Sequence, residues 1–120
     1  MERLTPKQLA DALQILPAEL GRQAEKVEDA RANFDRCKHE LEVSKAKAYL
    51  IYEAEKDRTT PSLKAAVESD PDVTAKSLTV IEAESQYRQE GIELKMLEDK
   101  FTAARKIATL REVELRNIPE

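Results

Sequence analysis

Cysteine, histidine, glycine and tryptophan are scarce or absent in this sequence. Its 120 residues include one cysteine, one histidine, two glycines and no tryptophan. A single cysteine, Cys37, excludes an internal disulfide framework, and His39 alone cannot complete a thiol and imidazole metal cluster. Two glycines are too few for the turns of a β-sandwich, a β-barrel or a Rossmann sheet. We therefore expect no metal, no cofactor and no sheet, with Cys37 buried as a small apolar residue and His39 exposed.

Long apolar runs and catalytic motifs are missing as well. No stretch of about 18 apolar residues could span a bilayer, and no basic start leads into an apolar signal core. The sequence holds no glycine-rich phosphate loop, no nucleophile elbow and no His-Glu-x-x-His motif. Acidic pairs such as Glu40 and Glu42 are two residues apart, so they diverge around a helix. These absences predict a cytoplasmic protein that has no membrane partner and is not an enzyme.

Charge is what the sequence has in abundance. Charged residues make up 37% of the chain and aromatic residues 4%, and the formal net charge is −4. A composition rich in Ala, Glu, Lys, Leu and Arg is typical of long helices and coiled coils. Because the chain is acidic overall, a polyanion could bind only at a local basic patch.

A short amphipathic helix is predicted at the beginning of the chain. Thr5 and Gln8 have the spacing of a capping box, and Pro17 is expected to end or kink the helix. The apolar side of this helix consists of Leu9, Leu13 and Leu16. So short a helix is unstable alone in water, so we expect residues 1–17 to be a docking helix. Residues 18–120 are then expected to form a single helical-hairpin domain.

Two long helices are predicted on either side of a proline-containing break. The first runs from about residue 18 to about residue 57, and the last from Pro71 almost to Pro119. Thr60 and Asp70 stand where N-caps are expected, because a proline follows each of them. A short helix over residues 61–68 is predicted between the two caps.

Both long helices carry an apolar residue every seven positions, and a sustained seven-residue repeat buries a narrow stripe against a partner helix. We call the predicted core or oligomer stripe the seam; its residues are Val27, Phe34, Leu41, Val80, Tyr87, Leu94 and Phe101. In the first helix, the residues three positions after members of the seven-residue repeat are mostly small. We call them the companion positions; they are Ala30, Cys37, Ser44 and Ile51.

The predicted fold is all-α, with the two long helices in an antiparallel, coiled-coil-like hairpin and short helices at the N-terminus and the turn. Several apolar residues lie outside the seam: Leu78, Ile81, Ile92, Met96, Ile107 and Leu110. A thin hairpin cannot cover them, so we expect a homo-oligomer.

Two stretches, residues 44–52 and 100–111, contain cations and no acids. Lys45, Tyr49 and Tyr52 of the first stretch form one helical stripe with Lys38 and Lys56. Single-stranded nucleic acid needs cations for its phosphates and rings for its bases. The second stretch, residues 100–111, holds four cations and no carboxylate. The candidate residues are Lys45, Lys47, Tyr49, Tyr52, Lys56, Lys100, Arg105, Lys106 and Arg111. The alternative is that the tyrosines pack and the lysines are a solvated helix edge.

The order of features over residues 22–117 resembles the phage recombination mediators of the UvsY type. The likeness rests on the aromatic helix end at residues 48–52, the polar break at 57–60, the small helix at 63–67, the acidic turn at 69–73 and the segment 84–88. Such proteins are small and helical, and they bind single-stranded DNA as closed homo-oligomers while helping to load a recombinase.

The resemblance implies that this chain is a recombination mediator in the host cytoplasm. Its implied partners are single-stranded DNA, further copies of itself, a recombinase and a single-strand binding protein. The implied DNA contacts add Arg58 to the first stretch. The alternative from the residues alone is a coiled-coil scaffold or virion-assembly adaptor that binds no nucleic acid.

Overall fold

The computed structural model describes residues 5–55 and 59–117, and within these ranges it contains helices and no strand. The helices are α1, Pro6–Glu53, α2, Thr60–Ser69, and α3, Pro71–Arg116. The predicted all-α class is therefore confirmed. None of the helices in the described ranges is both long and apolar enough to cross a membrane.

Side-chain caps mark where each helix begins. The Thr5 N–H donates to Gln8 Oε1 at 2.9 Å and the Gln8 N–H donates to Thr5 Oγ1 at 3.1 Å, which is the predicted capping box. Asp70 caps α3 as predicted, because its Oδ1 accepts from the Val73 N–H at 3.2 Å. The prediction of Thr60 as the cap of α2 is wrong by one residue. The hydroxyl of Thr59 accepts from the Ser62 N–H at 3.2 Å, and Thr60 is already helical.

The predicted separate N-terminal helix is also wrong, because α1 continues through Pro17. A proline inside a helix removes one backbone hydrogen bond and costs about 3 kcal/mol. Leu9 and Leu16 precede Pro17 on one side of α1, and both are buried in a cluster with Ala104 of α3. Burying a leucine side chain contributes about 1.5–3 kcal/mol, so this packing is large enough to offset the proline. The leucine side of the segment is thus covered by α3 of the same chain.

The contacts group the chain into two compact units. Unit 1 comprises Met1–Val27 and Glu90–Glu120, and unit 2 comprises Glu28–Gln89. In unit 1, Phe101 and Ile107 pack against the cluster of Leu9, Leu16 and Ala104. Also in unit 1, the buried Gln23 amide donates through Nε2 to the Glu90 carbonyl at 2.9 Å and to its carboxylate at 2.6 Å.

In unit 2, the contacts between α1 and α3 include a ring pair, small residues and an ion pair. The rings of Phe34 and Tyr87 lie with their centroids 6.0 Å apart at an interplanar angle of 42°. Lys76 Nζ is 3.7 Å from a carboxylate oxygen of Glu40. The buried residues of this unit are Cys37, Ser44, Ala48, Val73 and Ala83. The prediction of a buried Cys37 is therefore confirmed, and His39 is exposed as expected.

Small residues are buried more deeply than the large residues of the seam. All seven seam residues are half-buried, whereas Cys37, Ser44 and Ala83 are almost fully covered. Small side chains let two helices approach closely, and long side chains then extend past the contact toward solvent. The companion position Ile51 is 64% exposed, contrary to its expected place on the contact side. Because α1 ends two residues later, at Glu53, Ile51 lies in the last helical turn.

Candidate nucleic-acid interface

Two residues of the first predicted stripe, Lys45 and Tyr49, lie in one wall of a groove in unit 2. Because residues three, four and seven apart share a helix face, α1 places Lys45, Tyr49 and Tyr52 on one side. The short helix α2 supplies the opposite wall, and the cavity between them has a volume of about 500 Å³. Its lining residues are Glu42, Lys45, Ala46, Tyr49, Thr60, Leu63, Lys64, Val67 and Glu68. Lys45 and Tyr49 thus face a groove, whereas Tyr52 does not line it.

Tyr49 is the aromatic residue that this groove presents to solvent. It is 47% exposed, and its wall is shared with Lys45 one turn earlier. Lys45 is half-buried, and its Nζ lies 3.8 Å from a carboxylate oxygen of Glu42. Lys47 is exposed but does not line the groove. One ring and one lysine of the stripe therefore share a single cavity, with an acid beside them.

Tyr52 is placed differently from Tyr49. Its phenol donates a 2.9 Å hydrogen bond to Asp70 Oδ2, at the beginning of α3. This bond, joined by donation from the backbone N–H groups of Val73 and Asp72, lowers the pKa of the Asp70 carboxyl. The half-buried Tyr52 thus helps to hold the turn between α2 and α3, and stacking on a base would have to compete with that contact.

Lys64 is a groove residue that reasoning from the sequence did not single out. It lies on α2 and faces the same cavity as Lys45 and Tyr49. No spacing in the sequence could have found it, because only the packing of α2 against α1 brings it near the stripe. Glu42 and Glu68 line the groove as well, so two lysines and two glutamates balance in formal charge. The candidates Lys56 and Arg58 lie outside the described residues.

The cations of the second stretch are spread around α3. At 3.6 residues per turn, Lys100 and Arg105 point about 140° apart. Lys100 lines a groove beside Leu16, whereas the guanidinium of Arg105 lies 5.7 Å from the centroid of the Phe101 ring. Lys106 is exposed and Arg111 is half-buried. The absence of acids from this stretch therefore does not produce one continuous basic patch.

Metal binding finds no support in the part of the chain that the structure describes. There, no group of three or more His, Cys, Asp or Glu side chains is placed to hold a metal ion. The only cysteine, Cys37, is 3% exposed in the contact between α1 and α3 of unit 2.

Comparison with protein-family models, with curated proteins and with solved structures finds no match for this chain.

Proposed function

We propose that this protein is a non-enzymatic accessory protein that binds single-stranded DNA as a homo-oligomer, in the manner of a recombination mediator. The observation that carries the proposal is the groove of unit 2, which the half-exposed Tyr49 lines together with Lys45 of α1 and Lys64 of α2. Stacking of a base on an aromatic ring contributes about 1–3 kcal/mol, and each lysine can neutralise a phosphate.

The groove favours single strands over duplexes. Bases in a duplex are already stacked on each other, so the ring of Tyr49 is useful only to a strand whose bases are free. The apolar residues Leu63 and Val67 line the same cavity and offer a surface for the edge of a stacked base. Because Glu42 and Glu68 oppose the two lysines, one groove binds weakly. Repetition of the groove in an oligomer raises the overall affinity without a new contact.

The fold that presents these grooves is, in this proposal, an antiparallel hairpin of α1 and α3. Three contacts within unit 2 support the direction. Phe34 meets Tyr87, Glu40 meets Lys76, and Tyr52 meets Asp70, so residue numbers rise along α1 while they fall along α3. The partners proposed beyond DNA are a recombinase and a single-strand binding protein, and the proposed location is the host cytoplasm.

The affinity for a labelled single-stranded oligonucleotide, measured over a series of salt concentrations, tests the proposal. Tyr49→Ala should weaken binding about 5- to 150-fold with the salt slope nearly unchanged, because stacking releases few counterions. Lys64→Ala and Lys45→Ala should each reduce the slope of log affinity against log salt by about 0.7 per lysine. Leu50→Ala and Lys26→Ala are matched controls, because both side chains are exposed and neither lines the groove.

The result that would overturn DNA binding is equally specific. If the parent protein fails to bind single strands at about 50 mM salt, where phosphate contacts are strong, the groove is not a DNA site. Equal affinity for single strands and duplexes would contradict the stacking role of Tyr49. Circular dichroism of each variant must match the parent, so that a loss of binding is not a loss of helix.

A coiled-coil scaffold or virion-assembly adaptor is the second candidate, and a different observation favours it. Large apolar side chains are exposed on α3 in both units, including Leu78 at 57% and Leu110 at 63%. Such residues suit contact with other proteins and require no basic groove. An oligomer that keeps its mass but binds no single strand in the salt series would support this candidate.

A further inference from the structure

An exposed stripe runs along α3 within unit 1, and we call it the outer stripe. Its apolar members are Ile92, Met96, Ala103, Leu110 and Val113, all exposed. Asp99 and Lys106 occupy the two remaining positions of the same stripe and are exposed too. Successive members are alternately four and three residues apart, which is the spacing of one coiled-coil face. The buried Ala104 and half-buried Leu97 and Phe101 lie on a different side of the helix, against α1.

The order of residues in the outer stripe is the same in both directions from Ala103. A charged residue comes first, at Asp99 on one side and Lys106 on the other. Two large apolar residues follow on each side, Met96 and Ile92 toward the N-terminus, Leu110 and Val113 toward the C-terminus. The two charges have opposite signs. Such a stripe is complementary to itself when a second copy is laid antiparallel across it.

We propose that a second copy of this chain binds the outer stripe, with the two α3 helices antiparallel and a two-fold axis near Ala103. This arrangement sets Ile92 and Met96 of one copy against Leu110 and Val113 of the other. Asp99 of each copy then lies beside Lys106 of the other. Each contact occurs twice, as a two-fold interface between identical chains requires.

The shape of unit 1 fits the same occupant. Ala103 is small, so two helices can approach closely where they cross the axis. Ala103 also lines a groove of about 400 Å³ together with Ile107 and Ile15, and Ile15 is 52% exposed. A helix laid along the outer stripe would border this groove and cover Ile15. Residues 92–113 span about 32 Å at 1.5 Å per residue, which is long enough for three heptads of contact.

This inference rests on one part of the proposed function, the self-association of the chain. It does not depend on DNA binding, so it holds for a DNA-binding oligomer and for a scaffold alike. What is assigned here is one surface and its partner.

Charge reversal tests the pairing of Asp99 with Lys106. Asp99→Lys alone places a lysine of each copy beside Lys106 of the other copy. Lys106→Asp alone places an acid of each copy beside Asp99 of the other. At low salt, each should raise the dissociation constant of the self-association at least about tenfold. The double variant Asp99→Lys/Lys106→Asp restores opposite charges across the axis and should recover association. Glu82→Lys, an exposed reversal on α3 outside the stripe, is the control.

The double variant also separates this pairing from contacts within one helix. Asp99 lies 3.9 Å from Lys95 on the same helix, and Asp99→Lys disturbs that pair in the single and the double variant alike. Recovery in the double variant therefore reports the contact between copies. Met96→Glu buries a charge in the apolar part of the contact and should abolish association, whereas Leu50→Glu, an exposed change on α1 outside the stripe, should not.

Cross-linking fixes the direction of the pairing. In a Cys37→Ala background, Ala103→Cys should form a disulfide-linked dimer under mild oxidation, because residue 103 lies near the axis. Ile92→Cys alone should not, whereas a mixture of Ile92→Cys and Val113→Cys chains should cross-link. A parallel pairing would cross-link residue 92 to itself, and that result would overturn the proposal.

The mass of the parent protein, measured by light scattering, shows whether a negative result refutes the outer-stripe contact alone or self-association altogether. A monomer at micromolar concentration would refute both the outer-stripe contact and the oligomeric part of the proposed function. A stable oligomer whose mass and affinity are unchanged by Asp99→Lys and by Met96→Glu would refute the outer-stripe contact alone. Helix content by circular dichroism must be equal in all variants compared.

Discussion

Replacing Pro17 by alanine should stabilise this protein. Pro17 is exposed within α1, and its ring nitrogen has no hydrogen to donate to the carbonyl of Leu13 one turn earlier. Alanine restores this donor and removes the clash of the proline ring with the preceding turn, a difference of about 3 kcal/mol in a helix interior. Proline also restricts the unfolded chain, and losing that restriction returns at most about 1 kcal/mol.

The net gain for Pro17→Ala is therefore about 2 kcal/mol. For a chain of 120 residues this corresponds to a rise in Tm of roughly 6–12 °C, interpolated between values for smaller and larger domains. Thermal unfolding followed by circular dichroism measures it, at one fixed protein concentration because association shifts Tm. Gln14→Ala, an exposed change one turn earlier in the same helix, is the control and should shift Tm by only 1–2 °C at most, about a few tenths of a kcal/mol.

A fall in Tm would refute this reasoning. It would mean that the cluster around Leu9 and Leu16 needs the backbone geometry that proline imposes, so that the proline contributes to the packing. An unchanged Tm would show that α1 already adapts around residue 17 without cost.

Two further predictions concern packing and pH. Leu16→Ala should destabilise the protein by about 2–5 kcal/mol, since Leu16 is 8% exposed, whereas Leu50→Ala, at 67% exposure, should stay within about 0.5 kcal/mol in urea unfolding. Because the folded pKa of Asp70 is lowered, its ionised form stabilises the fold above the ordinary carboxyl pKa, and this contribution is lost as pH falls through the lowered value. Tyr52→Phe should therefore lower the urea midpoint at pH 7 and have less effect in acid; an equal effect at both pH values would contradict the role of the Asp70 carboxylate.

Local signals in the sequence predicted the helix beginnings well. Thr5, Gln8 and Asp70 act within four residues of their own backbone partners, so their roles follow from spacing alone. Thr59 and Thr60 differ only in which hydroxyl reaches the Ser62 N–H, and the sequence cannot distinguish two adjacent threonines. Pro17 is the misleading local signal, because whether a proline ends a helix depends on how residues of another helix pack against that segment.

The candidate groove could be predicted only in part. The shared face of Lys45 and Tyr49 follows from helical spacing. That α2 covers this face, that Lys64 joins it and that Tyr52 bonds to Asp70 depend on contacts between helices. The spacing of one helix contains no information on which neighbour lies above it.

The sequence by itself determined the helical class, the caps at Thr5 and Asp70 and the seven-residue repeat, because each depends on interactions within one or two turns. Tertiary structure decided which repeat positions became buried and which cations share a site. Two helices in contact bury the residues closest to their line of approach, so Cys37 and Ala83 are covered while the larger Phe34 and Tyr87 remain half-exposed. The continuity of α1 through Pro17 has the same origin, since the burial of Leu9 and Leu16 against α3 outweighs a local preference for ending the helix.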